Sequence, residues 1–218
     1  MKTYTIKASL YFNLCLSIGF ALLLLFFRIK LTNNLFYLFL VWNLFLAAIP
    51  FTITQLIKSN TTLHSKKTIG YIGFTVWLLF LPNSPYIITD LVHLHNKNSN
   101  LIWLDLFLVF VFAFNGLFLG VLSMLDMFSI VRTHYGNKIA KHTLFLVSIL
   151  SGYGIYLGRF LRFNSWDITT KPLTLIYQIA DSLKQPKVWL ISFAFGGFLW
   201  LLFSLVQSML QTHNSRNN

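Results

Sequence analysis

The sequence is short of acid, of charge in general and of cysteine. It has no glutamate, its five acidic residues are all aspartates, and charged residues make up 10% of the chain. A soluble domain is charged at about a quarter of its residues, so this composition excludes an ordinary soluble protein. The single cysteine, Cys15, has no partner within the chain, which excludes an intrachain disulfide.

What the sequence does contain is long apolar runs separated by short polar links, with 56% of its residues hydrophobic. Several runs approach or exceed the roughly 18 residues that a helix needs to cross a bilayer. Backbone in lipid must satisfy its own hydrogen bonds, so such runs predict helices. We predict an all-α polytopic membrane helix bundle and a single integral membrane domain over residues 1–218. The predicted spans are about 10–27, 35–57, 69–94, 101–121, 143–160 and 188–210.

The first apolar run resembles a signal peptide, but it is too long for one. Arg28 and Lys30 follow it where a cleavage site of small residues would be needed. We therefore interpret this run as a retained transmembrane helix.

The net charge of +12 comes from lysines and arginines placed between the apolar runs. No separate basic soluble domain carries this excess, so we expect no nucleic-acid partner. Basic residues beside a membrane bind anionic lipid headgroups at about 1 kcal/mol each, which predicts anionic membrane lipids as partners. The N-terminal side of the predicted bundle carries nine of these cations and the other side eight, or six without Arg159 and Arg162. We expect both termini in the cytoplasm.

The third predicted span contains two prolines, Pro82 and Pro85, in the stretch LPNSPYIITDLVHLH. Each proline removes a backbone donor and clashes with the preceding helical turn. The segment from Ile69 to Leu81 is too short to cross a bilayer alone. We therefore predict a helix that breaks around Asn83, resumes afterwards and faces the interior of the bundle.

The link before the last span predicts a short amphipathic helix at about residues 172–184. Pro172 suits a first helical position, and one face carries Leu173, Ile176, Ile179, Ala180 and Leu183. The helix lies either on the membrane surface or against the other loops.

Two small-xxx-small pairs, Gly116 with Gly120 and Gly154 with Gly158, allow close helix approach. They predict either packing of the fourth span on the fifth or a homodimer interface. Docking of a different protein partner is a further alternative.

With six spans, the end of the third, the start of the fourth and the end of the fifth lie on one membrane face. Ionisable residues at membrane depth usually mark function. The sequence therefore predicts a polar pocket at this face, formed from Asn83, Asp90, His93, Asp105, Arg159, Arg162, Asn164 and Asp167.

Asp90 and His93 are three residues apart, so in a helix they share a face. They fit an acid–base pair, with Asp105 as a further catalytic candidate, or a metal site, or a helix cap that meets water. Which metal, and whether one binds, is open. The spacing identifies no cofactor.

Arg159 and Arg162 have the same spacing and suit a phosphate or carboxylate, although both fit snorkelling to the headgroups equally well. Structural or pocket-lining roles fit the remaining candidates: Pro82, Asn83, Pro85, Tyr86, Asn164, Trp166 and Asp167.

The blocks WLLFLPNSPYIITDLVHL and GRFLRFNSWD, in a chain of this length and hydropathy, resemble the bacterial membrane family catalogued as domain of unknown function 1361. The resemblance covers nearly the whole chain. It implies a multi-pass protein of the bacterial cell membrane, and it implies no activity.

The function therefore stays open between three classes. The first is an enzyme that acts on a phosphate-bearing or lipid-linked substrate at the membrane face. The second is a carrier that uses the broken helix as its binding site, and the third is a non-catalytic partner in an envelope assembly. No Walker motif, nucleophile elbow, HExxH or CxxC is present, so the sequence does not identify a reaction.

Overall fold

The computed structural model describes residues 8–59, 67–94 and 101–216, and within these residues it contains helices and no strand. The prediction of an all-α bundle is confirmed. The elements are α1 (Ala8–Thr32), a 3-10 turn (Phe36–Leu38), α2 (Phe39–Ser59), α3 (Lys67–Phe80), α4 (Asn83–Tyr86), a 3-10 helix (Ile87–Leu94), α5 (Ile102–Tyr135), α6 (Asn137–Arg159), α7 (Asp167–Thr170), α8 (Pro172–Ser182) and α9 (Pro186–Arg216).

Five helical segments of the described chain are long and apolar enough to cross a membrane. They are Ser9–Thr32, Phe36–Ser59, Gly70–Val92, Ile102–Tyr135 and Pro186–Thr212. The chain is thus an integral membrane protein. Helix α6 has 23 residues and a length of about 34 Å, enough to cross, but it is less apolar than these five. A sixth crossing by α6 stays a prediction.

Helix α5 forms the centre of the bundle and contacts α1, α2, α4, the 3-10 helix Ile87–Leu94, α6 and α9. One core lies on its α1 and α2 side and includes Tyr37, Leu40 and Phe112. The other lies on its α3, α6 and α9 side and includes Trp77 and Phe203. Because α5 packs on both sides, four of its polar residues are buried in protein: Asp105, Asn115, Ser123 and Asp126.

Helices α6 and α9 cross at two glycines, Gly152 and Gly196. A Cβ atom on Gly196 would lie 2.7 Å from the Ser148 carbonyl oxygen, and one on Gly152 would clash with the Ser192 carbonyl. The backbones therefore touch directly at this crossing, as small residues permit. This contact fixes the position of α6, whose last residue is Arg159 of the predicted pocket.

The third span is broken, as the prolines predict. Helix α3 ends at Phe80, and the chain turns through Leu81 and Pro82 into α4 and the 3-10 helix. The prediction that this segment faces the bundle interior also holds, since Leu81, Ser84, Pro85 and Ile87 are buried.

The glycine pairs of α5 and α6 pack on this broken segment. The sequence had suggested that they pack on each other. On the α5 side, a Cβ atom on Gly120 would lie 2.6 Å from the Cβ of Ser84, and one on Gly116 would meet Ile87. The pairs make room for a segment that is wider than a regular helix at its prolines.

On the α6 side, a Cβ atom on Gly154 would lie 2.5 Å from a ring carbon of Pro82, and one on Gly158 would lie 3.2 Å from the Tyr86 ring. Both pairs thus have partners within the chain. A homodimer through them stays a prediction.

Candidate functional site

A cavity of about 780 Å³ lies between α2, the broken segment, α6 and the link that follows α6. Leucines from three helices form much of its wall, among them Leu46, Leu78, Leu150 and Leu157. Its polar lining comes from Asn43, Asn83, Arg159, Arg162, Asn164 and Ser165. The cavity is therefore apolar along one part and polar at the end of the bundle where α6 ends.

Asp90 and Arg159 meet beside this cavity. The Arg159 Nη1 lies 3.2 Å from Asp90 Oδ1, and Asn43 donates to Asp90 Oδ2 at 2.9 Å. The Asp90 side chain is 2% exposed and that of Arg159 is 19% exposed. A buried carboxylate needs such partners, because an uncompensated charge is costly to desolvate. The pair holds the Arg159 guanidinium at the cavity wall.

Arg162 differs from Arg159 in its backbone conformation and in the pairing of its guanidinium. Its φ of 59° lies in the left-handed region, which costs a residue with a Cβ about 1–2 kcal/mol. The Phe163 N–H donates to the Leu157 carbonyl at 3.1 Å and folds the chain back over the end of α6. No carboxylate of the described residues pairs with the exposed Arg162 guanidinium, which lines the cavity. Among the described residues, Arg162 is thus a cavity-lining cation without a paired carboxylate.

Side chains donate hydrogen bonds to the backbone carbonyls that the proline break leaves without a helical partner. The Asn83 amide donates to the Phe80 carbonyl at 2.9 Å and to the Ser165 hydroxyl at 3.2 Å. The Ser165 hydroxyl donates in turn to the Leu79 carbonyl at 2.9 Å. Asn83 and Ser165 thus bind the backbone at the break, and a structural role for Asn83 stays a prediction.

Asp167 closes the turn after α6. Its Oδ2 accepts from the Asn164 N–H at 2.7 Å, and its Oδ1 accepts from the Thr170 hydroxyl at 3.0 Å. The Asn164 N–H is the main cause that lowers the pKa of the Asp167 carboxyl below its usual value. Among the described residues, Asp167 forms no ion pair with Arg159 or Arg162. Trp166 packs edge-on against Trp42 of α2, with ring centroids 6.4 Å apart.

Asp105 does not line the cavity, although the sequence placed it with Asp90 at the same face. It accepts from Arg28 Nε at 2.8 Å and is 1% exposed. The Arg28 guanidinium also lies over the Tyr37 ring, 4.9 Å from its centroid. This buried pair joins α1 to α5. Its geometry favours a structural role over the catalytic one predicted for Asp105.

A third buried pair lies at the opposite end of α5. Lys58 Nζ lies 2.6 Å from Asp126 Oδ1, and Gln55 and Thr54 also donate to this carboxylate. Tyr11 donates to Gln55 at 2.8 Å and extends the network to α1. None of the residues in this network lines the cavity.

A metal site finds no support among the described residues, where no three His, Cys, Asp or Glu side chains cluster. His93 belongs to the 3-10 helix, but its side chain lies outside the part of the chain that the structure describes, as does His95. The metal pair Asp90 with His93 therefore stays a prediction.

Of the other predicted pocket residues, Pro82 and Tyr86 line the cavity, whereas Pro85 is buried in the bundle. Sequence reasoning missed Asn43, Ser165 and Arg28. A signal existed for Asn43, which stands alone among apolar residues in VWNLF. A polar side chain at such a position usually has a partner inside the bundle.

The two sequence blocks that carried the family resemblance form this site together. Asp90 and Asn83 belong to the first block, and Arg159 and Ser165 to the second. The family model described as "Protein of unknown function (DUF1361)" matches residues 42–202, well over half of the chain. The chain belongs to this family. The matched region includes the whole cavity and leaves out α1 with Arg28.

No curated protein and no solved structure matches the chain. The family assigns no activity, so the function has to be argued from the cavity itself.

Proposed function

We propose that the protein binds an amphiphile with an anionic headgroup, a phosphate or a carboxylate, in the cavity at one end of its membrane bundle. The observation that carries the proposal is the exposed Arg162 guanidinium, which lines the cavity on a left-handed backbone. Backbone strain of this kind clusters at ligand sites. A guanidinium fork matches the oxygens of a phosphate or carboxylate.

Arg159 supports the same headgroup in a different way. Asp90 neutralises part of its charge and fixes its guanidinium at the wall, 3.2 Å away. Asp90 is then a positioning residue, and Arg159 offers the headgroup an oriented donor. Arg162 supplies the charge that attracts the anion.

The apolar wall argues for an amphiphile over a small water-soluble anion. Leu150 and Leu157 of α6 and Leu46 of α2 line the cavity beside the arginines. Apolar surface of this kind favours an alkyl chain by about 25 cal/mol per Å² removed from water. A ligand with an anionic end and an apolar chain satisfies both parts of the cavity.

The cell membrane of a bacterium, with both termini in the cytoplasm, is the location that we propose. Chemistry on the bound amphiphile by Asp90 and His93 stays a prediction, as do the carrier role and the role in an envelope assembly. All three of these roles are compatible with a binding site for an anionic amphiphile.

The test is a titration of purified protein in neutral detergent with a short-chain, water-soluble phosphatidylglycerol. We expect saturable binding by the wild type and binding at least about tenfold weaker by Arg162→Gln, since a hydrogen bond to a charged group contributes about 1.5–3 kcal/mol. Arg132→Gln is the matched control, because Arg132 is exposed on α5 away from the cavity lining. Its binding should equal that of the wild type.

A short-chain phosphatidylcholine, which has no net charge, should bind more weakly than the phosphatidylglycerol. Equal binding by the wild type and Arg162→Gln would overturn the proposal, and so would the same loss in both arginine variants.

A further inference from the structure

Helix α8 has apolar residues on two faces, whereas the sequence predicted one apolar face that included Ile179. Leu175 and Ile179 line the cavity from one face. Leu173, Ile176 and Tyr177 lie on the other, with exposed fractions of 82%, 62% and 76%. An amphipathic helix that served only to close the cavity would need apolar residues on its inner face alone. The outer face therefore requires a second apolar environment.

The surroundings of this outer face indicate an anionic lipid surface. Three exposed lysines flank α8: Lys171 before it, and Lys184 and Lys187 after it. Asp181 is the only acid in the segment Lys171–Lys187, and it pairs with Lys184 at 3.7 Å. Apolar residues on a helix flanked by lysines are typical of helices that lie in the headgroup layer.

Two tryptophans also support a position of α8 in the headgroup layer. Trp166 precedes α7 and Trp189 lies in the first turn of α9, with exposed fractions of 38% and 44%. Tryptophan is enriched at both membrane interfaces, where its ring sits at the level of the headgroups. Both ends of the segment that carries α8 thus have a side chain suited to the same layer.

Hydrogen bonds hold the C-terminal end of α8 at two places. The Trp189 indole N–H of α9 donates to the Leu183 carbonyl at 2.9 Å, and Ser182 bonds to Tyr153 of α6. The Ser182 and Tyr153 hydroxyls lie 2.8 Å apart, and Tyr153 lines the cavity from α6. Among the described residues, α8 makes its main helix contact with α7 and not with a membrane-spanning helix. It is therefore held less firmly than the helices that form the other walls.

We infer that α8 is the lipid-facing cover of the cavity, and that the amphiphile enters from the anionic headgroup layer beneath α8 instead of from bulk water. This inference rests on the proposed function. It adds the source of the ligand, which is the membrane leaflet that contacts Leu173, Ile176 and Tyr177. The cover opens when the Ser182–Tyr153 hydrogen bond breaks while the outer face stays in lipid.

The test measures exchange of a spin-labelled long-chain phosphatidylglycerol between free and protein-bound states by electron paramagnetic resonance. The full chain is reconstituted in phosphatidylcholine vesicles, and the cavity component is the bound signal that Arg162→Gln removes. Ser182→Ala should raise the exchange rate about fivefold, because it removes one net hydrogen bond. The double variant Leu173→Ser, Ile176→Ser should lower the exchange rate roughly tenfold. The reason is that the outer face of α8 no longer places apolar side chains in the leaflet.

Ala180→Ser is the control, since Ala180 is an exposed residue of α8 and the change removes little apolar surface. Its exchange rate should equal that of the wild type. All variants are also titrated with the short-chain phosphatidylglycerol in detergent, where no leaflet supplies the ligand. There, the outer-face variant should bind within about twofold of the wild type.

These two measurements separate the inference from the proposed function. Unchanged exchange in the outer-face variant would overturn the inference and leave the binding site intact. Equal losses in exchange and in detergent binding would also overturn it, because α8 would then be part of the site's structure. Absence of short-chain binding by the wild type would overturn the proposed function itself.

Discussion

Three buried aspartates of the membrane helices each have a cation from another helix. Asp90 pairs with Arg159, Asp105 with Arg28, and Asp126 with Lys58. Removing one partner of a buried pair leaves an uncompensated charge, which costs about 3–5 kcal/mol. The pairs therefore hold helices together, and in the proposed function Arg162 is the cation that binds the ligand.

Only some of these ion pairs could be predicted from the sequence. Shared sidedness was enough to bring Asp90 near Arg159, because both lie at the end of their spans. It could not choose between partners on the same face. Asp105 pairs with Arg28 because α1 packs beside α5. Hydropathy does not predict which helices are neighbours.

Asp167 gives a prediction for pH. The Asn164 N–H and the Thr170 hydroxyl bind its charged form, so its pKa is lowered in the folded state. A lowered folded pKa means stability that is present above the unfolded value of about 3.9 and is lost as the pH falls through the folded value. We expect Asp167→Asn to lower the unfolding temperature at neutral pH. The difference from the wild type should shrink as the pH falls below about 4, measured by thermal unfolding in detergent.

Asp181→Asn is the control for this measurement. The Asp181 side chain is 61% exposed, and its ion pair with Lys184 is at the surface. Surface pairs contribute about 0–1 kcal/mol, so this variant should unfold close to the wild-type temperature. A constant difference between Asp167→Asn and the wild type across the whole pH range would contradict the assignment.

At the scale of helices, the glycines of α5 and α6 and the prolines of the third span depend on each other. The prolines widen the segment between α5 and α6, and the glycines supply the space. Sequence alone predicted the break, because Pro82 and Pro85 act through local geometry. It did not predict what the glycines contact, because a small-xxx-small pair states how close a neighbour comes and not which one it is.

Gly154→Ala tests this dependence. A Cβ atom there would lie 2.5 Å from the Pro82 ring, which cannot rotate away. Overpacking of this kind costs about 1–3 kcal/mol. We expect a lower unfolding temperature and weaker binding of the short-chain phosphatidylglycerol, since Gly154 and Pro82 both line the cavity.

Gly197→Ala is the matched control, because a Cβ atom on Gly197 would meet no atom within 4 Å. Alanine is the better helix former by about 1 kcal/mol, so this variant should be as stable as the wild type or more so. If both glycine variants behaved alike, tight packing of α6 on the broken segment would not be the cause.

Over the whole molecule, the two ends of the bundle differ. One end carries the cavity, with Arg162 and α8 in its wall, whereas the other carries the network around Asp126. Hydropathy and sidedness predicted the helical bundle and the end at which a polar pocket would lie. They could not predict the cavity's apolar wall, since Leu46, Leu78 and Leu150 are ordinary leucines until helix packing brings them together.

The most direct test of the central claim locates the amphiphile in the bundle. The protein is reconstituted in bilayers of phosphatidylcholine with phosphatidylglycerol brominated in its acyl chains, and its structure is determined by electron microscopy. We predict bromine density along Leu150 and Leu157, with the headgroup phosphate within hydrogen-bonding distance of the Arg162 guanidinium. A cavity that holds only water, with bromine confined to the outer surface of the bundle, would contradict the account.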